Sequence, residues 1–336
     1  MGGGAIRGSL AGWARGGQWS RMLGVVGQAR RIDRAVARLR TALRGVPVRG
    51  VRLTWRGGEL RTTINWARDD GFWWTLQPRG ESATARHALL LGHAPTAPTR
   101  RESITCEFNI ARAGADRRLG GLILRDGSGG LLLGHSGRMA RARAAGGNAG
   151  LQGFAGPLWR DATWPDGKCG GVFVVAPIES PRLSALLGRF VELVRRYKAG
   201  ESPPAAAPHV LASSVDLEPA DACDRALVLD SLAEELAKRG LFGGPRDLFS
   251  TDARVPRPLF ATVDSANTPS LVHAIGGALL ETARRGPSAR AILLAPAATA
   301  DHEGAALRRL PVACVRYRWR GARAIFDGLD AALAGA

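Results

Sequence analysis

The sequence contains no run of 18 apolar residues, so no segment of it is expected to cross a bilayer as a helix. It contains neither GxxxxGK[ST] nor GxGxxG, which leaves nucleotide hydrolysis without a phosphate-cradling loop. Cysteine is scarce. Cys106, Cys169, Cys223 and Cys314 lie far apart, with no CxxC pair and no histidine at metal-ligand spacing. They read as idle reduced thiols of a cytoplasmic protein. The six histidines are scattered. His135 beside Ser136 lacks a third group to orient a nucleophile–base pair, and adjacent Asp301, His302 and Glu303 splay apart rather than converge on a metal.

Acidic residues are sparse in the first part of the chain. Residues 1–200 hold 32 Lys and Arg against 13 Asp and Glu, while residues 201–336 hold 15 against 16. A net +19 confined to one part, against −1 in the other, predicts a polyanionic partner for the basic part. Arginine far outnumbers lysine, which favours bidentate contact with phosphate. Genome composition alone also produces an arginine excess, and this keeps a protein-interaction scaffold in play as a rival.

At 336 residues the chain is long enough for two domains. Its mean hydropathy of −0.07 and its 45% apolar content predict globular folding. AGESPPAAAPH, residues 199–209, has linker composition and falls where the charge balance changes. The expected organisation is a Gly/Arg-rich arm over 1–21, a basic domain over 22–198, the linker, and a second domain over 210–336. The arm has no apolar core of a secretory signal. It reads as disordered, or as an upstream start with Met22 the true one.

In the basic part, Ile32, Val36, Leu39 and Leu43 form one apolar stripe on a helix whose other face carries Arg30, Arg31, Arg34, Arg38 and Arg40. VRLTWRGGELRTTINW alternates about Gly57-Gly58, and RLGGLILRDGSGGLLLGHSG turns at Asp126–Gly130; both read as hairpins. GFWWTLQP, SITCEFNI and GGVFVVAPI read as further strands, and SPRLSALLGRFVELVRRYK as a helix with a Ser-Pro start. The expectation is an α+β domain, a mostly antiparallel sheet with flanking helices. The loop system around the second hairpin supplies the candidate nucleic-acid ligands Arg117, Arg118, Arg138, Arg141, Arg143 and Lys168, several of them interleaved with small residues that let backbone approach phosphate. The partner is DNA or RNA. Trp73-Trp74, Trp159 and Trp164 read as core or rim packing, with base stacking the alternative.

The second part alternates types, with a helix in DACDRALVLDSLAEELAKRG, strands at RDLFST and PLFATVD, a helix over 268–285, and strands ARAILLAP and VACVRYRWRG. This predicts an α/β sandwich with a mixed sheet. With EELAKRG closing an opening helix, Arg246-Asp247-Leu248 as an acid-bearing strand, Leu259-Phe260 starting the next strand and IGGALLE in the following helix, it resembles the restriction-endonuclease-like PD-(D/E)xK nuclease superfamily. The resemblance covers about residues 222–321 and implies Mg²⁺-dependent phosphodiester cleavage, often in bacterial restriction, repair or phage defence. Such chemistry needs two carboxylates on the metal and a lysine beside the attacking water. Asp247 fits the first carboxylate, but the second position is Ala261 and the lysine position Val263; Gly277 and Glu281 replace the usual helix residues. The resemblance therefore implies a degenerate nuclease fold without catalysis and without a cofactor, Asp247 being vestigial, with the surface of 210–336 left to a protein partner. An active metal-dependent endonuclease with a non-standard site is the alternative.

Overall fold

In the computed structural model of the chain, residues 23–55, 58–79, 85–138, 147–201, 217–241, 257–263, 268–286, 289–302 and 304–334 are described. Internal contacts divide the chain into two compact units, Met1–Lys198 and Ala199–Ala336. Both mix helices and strands. Among the described residues no helix is long and apolar enough to cross a membrane.

The first unit runs β1 (Leu23–Val25), α1 (Ala29–Ala42), β2 (Val46–Trp55), β3 (Gly58–Ala67), β4 (Phe72–Arg79), β5 (Arg86–His93), β6 (Arg101–Ser103), β7 (Cys106–Ala111), β8 (Gly121–Arg125), β9 (Leu131–His135), α2 (Gly147–Ala155), β10 (Trp159–Thr163), β11 (Cys169–Pro177) and α3 (Leu183–Lys198). The two hairpins form where alternation predicts them, β2 with β3 and β8 with β9. The single sheet expected from the sequence is instead two. Strands β1, β10, β11, β9 and β8 close into a barrel, and β6, β2, β3, β4, β5 and β7 make a six-stranded sheet in that order. Closure depends on β1, a three-residue strand that runs parallel to β10 and antiparallel to β8. A strand that short, pairing with a segment far along the chain, leaves no period for sequence reading to detect.

Helix α3 packs against β11 of the barrel and β5 of the sheet. Its Phe190 meets Phe173 of β11, Phe108 of β7 and His135 of β9 with ring centroids 5.1 to 5.6 Å apart. Such aromatic clusters hold layers together through buried area, and truncating one ring costs about 3 to 5 kcal/mol. The sheet's own core gathers Val51, Leu53, Ile64, Trp73, Ala88 and Leu90. Trp73 and Trp74 are buried, and the Trp74 indole donates to the Arg44 carbonyl at 3.0 Å. They are core residues and offer no face to a base. Helix α1 buries Ile32, Ala35, Val36 and Leu39 and leaves its arginines exposed, as its stripe predicts.

The second unit contains α4 (Pro219–Lys238), β12 (Arg257–Thr262), α5 (Thr268–Arg285), β13 (Ala289–Pro296), α6 (Ala297–His302), α7 (Gly304–Leu307), β14 (Ala313–Arg320), β15 (Arg323–Asp327) and α8 (Leu329–Ala334). The sheet order is β12-β13-β14-β15, parallel except for the last pair, so the sheet is mixed. Side-chain alternation splits its core into two layers. Phe260, Ile292, Leu294 and Val315 pack with Val228, Leu232 and Leu236 of α4; Ala261, Val263, Ala291, Leu293 and Ala295 pack with Leu271, Ala274 and Ala278 of α5. A strand covered on both faces must be apolar at every position, which is why β13 reads AILLA without alternation. Asp247 and the strand expected around it lie outside the described residues.

Candidate nucleic-acid interface

Three short segments meet at one end of the barrel: the turn from β1 into α1, the loop from β7 to β8, and the turn from β10 to β11. The first two are tied by the Gly114 amide, which donates to the Gly27 carbonyl at 2.8 Å. Gly27 also lets the third come close, because a Cβ there would sit 2.9 Å from Pro165 Cγ. Between them is a hollow of about 300 Å³ lined by Gly24 to Gln28, Arg31, Gly114, Arg125 and Pro165. Helix α1 starts at its rim. Gln28, the N-cap, makes no side-chain cap bond, and the first turn contains no acid. Uncapped first-turn amides and the positive end of the helix dipole both favour an anion there.

Arg31 and Arg125 are exposed and pair with no carboxylate among the described residues. Neither stood out from the sequence as a ligand of this hollow. Arg31 appeared only as one of five arginines on α1, and Arg125 reads as the polar end of a strand before the Asp126-Gly127 turn. Only the barrel, which packs β8 beside β1, brings the two together.

The expected loop residues surround the same place. The Arg117 Nη2 donates to Asp166 Oδ1 at 2.9 Å while its guanidinium lies 5.0 Å from the Trp164 ring centroid, a cation–π contact. The amide of Lys168, whose side chain is exposed, donates to the same Asp166 oxygen at 3.2 Å. Arg118 forks onto Asp116 with two bonds of 3.1 Å, yet its side chain is 85% exposed. The Arg118 side chain and amide, with a further contribution from Arg138, hold the Asp116 carboxyl below its ordinary range. Arg117, Arg118, Arg138 and Lys168 thus share one loop system with two carboxylates threaded through it. Arg141 and Arg143 lie outside the described residues.

The other candidates resolve into packing. Trp164 is 7% exposed with Arg117 over its ring, and Trp159 is half-buried against Gly171, so Trp164 is a platform for an arginine rather than for a base. His135 is 1% exposed, and burial pushes its imidazole down to about 4. Its Nδ1 accepts the Gly137 amide at 3.0 Å, and Ser136 Oγ donates to the Leu119 carbonyl at 3.0 Å, so the two are not a nucleophile and its base. In the second unit Ala261 and Val263 are 2% and 1% exposed beneath α5. Among the described residues no three acids, histidines or cysteines converge closely enough to hold a metal ion.

No family model, curated protein or solved structure matches this chain.

Proposed function

We propose that the protein binds nucleic acid, DNA or RNA, through phosphate contacts made by its first unit. The observation that carries this reading is the hollow at the barrel end, where Arg31 and Arg125 have no carboxylate partner among the described residues and the start of α1, without a side-chain cap, lies at the rim. Arg117, Arg118, Arg138 and Lys168 extend the positive surface around it. Arginine forks and backbone amides recognise phosphate oxygens without reading bases. Among the described residues the tryptophans at these loops are buried or half-buried, which supports the same backbone-directed mode, in which affinity is tolerant of sequence and sensitive to salt.

For the second unit we propose a nuclease-like α/β fold that has no catalytic role and serves as a docking surface for a protein partner, in a bacterial defence or restriction-type setting. This rests on the resemblance of residues 222–321. It gains support from the apolar layer that holds Ala261 and Val263, the positions where that superfamily carries an acid and a lysine. A carboxylate and an ammonium group in that layer would be desolvated at heavy cost.

The test is binding of the full chain to fluorescein-labelled duplex and single-stranded DNA and RNA, read by anisotropy, beside Arg31→Gln/Arg125→Gln. The reading expects binding by the parent and at least tenfold loss in the double variant. Equal binding by both proteins would refute the assignment of the site. Cleavage of any of these substrates with Mg²⁺ or Mn²⁺ would refute the catalytically empty second unit.

A further inference from the structure

Like charges directly opposite one another on paired strands repel, and sheets ordinarily avoid them. The edge of the six-stranded sheet does the reverse. Arg52 of β2 is the register partner of Arg61 on β3 and of Arg101 on β6, so three arginines form one row across three neighbouring strands. All three are exposed. They occupy the face opposite to buried Val51, Leu53 and Ile64, as strand alternation requires. At the usual strand spacing the outer two Cα atoms are about 10 Å apart.

Compensation within the protein is slight. Glu59 Oε1 lies 3.1 Å from Arg52 Nε, and no carboxylate among the described residues pairs with Arg61 or Arg101. Arg49 and Arg100 are exposed beside the row, and the Arg100 carbonyl accepts the Arg52 amide at 2.9 Å. A bulge between Val48 and Val51 places Gly50 at φ +69°, a conformation that side-chain-bearing residues rarely adopt. The Arg61 guanidinium lies over that glycine, where a Cβ would stand 3.6 Å from Nη2.

We propose that this sheet face is a second nucleic-acid contact surface, on which Arg101, Arg52 and Arg61 bind phosphates of a polynucleotide backbone. The proposal rests on the nucleic-acid reading of the first unit and adds a surface separate from the hollow at the barrel end. Exposed Thr63 and Ser103 share the face, Thr63 two residues along β3 from Arg61 and Ser103 two residues along β6 from Arg101. Hydroxyls and guanidinium forks are the groups that position a protein on a phosphate backbone. The exposed large hydrophobic side chains of these strands, Val46 and Trp55, lie on the other face, which favours a polynucleotide over a bilayer as the partner.

The experiment compares the full chain with Arg52→Gln/Arg61→Gln/Arg101→Gln and with Glu59→Gln, on labelled 30-nucleotide duplex and single-stranded probes across a salt series. The triple variant is expected to bind at least tenfold more weakly, with the slope of log affinity against log salt reduced by about 2 to 3, near 0.9 per lost phosphate contact. Its melting temperature should equal or exceed the parent's, since it relieves repulsion, and Glu59→Gln should bind more tightly. If the parent binds and the triple variant shows the same affinity and slope, the sheet surface is overturned and the hollow stands. If the parent binds no probe, the nucleic-acid reading fails and this proposal with it. If instead the triple substitution abolishes binding only to phosphatidylserine vesicles, a membrane takes the place of nucleic acid as the partner.

Discussion

The Arg117 guanidinium lies over Trp164, its Cζ 5.0 Å from the ring centroid, and its Nη2 donates to Asp166 Oδ1 at 2.9 Å. Stacking and ion pair together hold a side chain of high rotamer freedom in one place, with 36% of it open to solvent. Arg117→Gln is expected to weaken binding evenly across probe sequences and to lower the salt slope by about 1. Arg117→Lys keeps the charge but loses the planar fork and much of the stacking. It should fall between the parent and the glutamine variant in the same anisotropy assay.

Arg118 gives the contrast that separates local pairing from ligand binding. Its guanidinium is already committed to Asp116, whereas Arg125 and Arg31 have no such partner among the described residues. Single substitutions to glutamine should therefore rank Arg125 and Arg31 above Arg118 in lost affinity. Equal losses from all three would mean that net charge alone governs binding.

Burial of His135 makes the first unit's stability depend on pH. Its imidazole titrates near 4 in the folded chain because burial disfavours the cation, against about 6.5 when free. The stabilisation of the neutral ring is complete above pH 6.5 and is lost as pH falls from there through 4. The difference amounts to about 3 kcal/mol by linkage. Denaturant melts at pH 7, 5 and 4 should show this loss, and His135→Leu should flatten the dependence even if it lowers stability throughout.

Ala261 probes the second unit. Ala261→Asp would place an unpaired carboxyl among Leu271, Ala274 and Leu293 and should cost on the order of 3 to 5 kcal/mol, seen as a fall in melting temperature. Restored cleavage in Ala261→Asp/Val263→Lys would contradict the packing argument.

Elements with a local signature were legible in the sequence. The α1 stripe, the two hairpins, the α5 span and the unbroken apolar run of β13 follow from side-chain period and turn chemistry. Pairing between distant segments was not. Nothing local to Leu23–Val25 announces that it closes a barrel against β10, and without that closure Arg31 and Arg125 have no reason to be neighbours. The same limit hid the arginine row, because Arg52, Arg61 and Arg101 come together only in the register of three strands. That Arg117, Arg118 and Arg138 sit on loops flanking the second hairpin, and Lys168 on a later turn, was legible because turn residues mark those loops in the sequence. For the tryptophans packing is the favoured reading, and the burial of Trp73, Trp74 and Trp164 agrees with it; a Trp-Trp pair in sequence suits core and stacking alike, and burial distinguishes them.

The measurement that bears most directly on the account is a salt titration of nucleic-acid binding by the full chain, from 50 to about 300 mM, on duplex and single-stranded probes. Phosphate neutralisation by the first unit predicts a linear, steeply negative plot of log affinity against log salt, made shallower by about 2 in Arg31→Gln/Arg125→Gln. No binding at the lowest salt, or binding with a flat salt dependence, would contradict it.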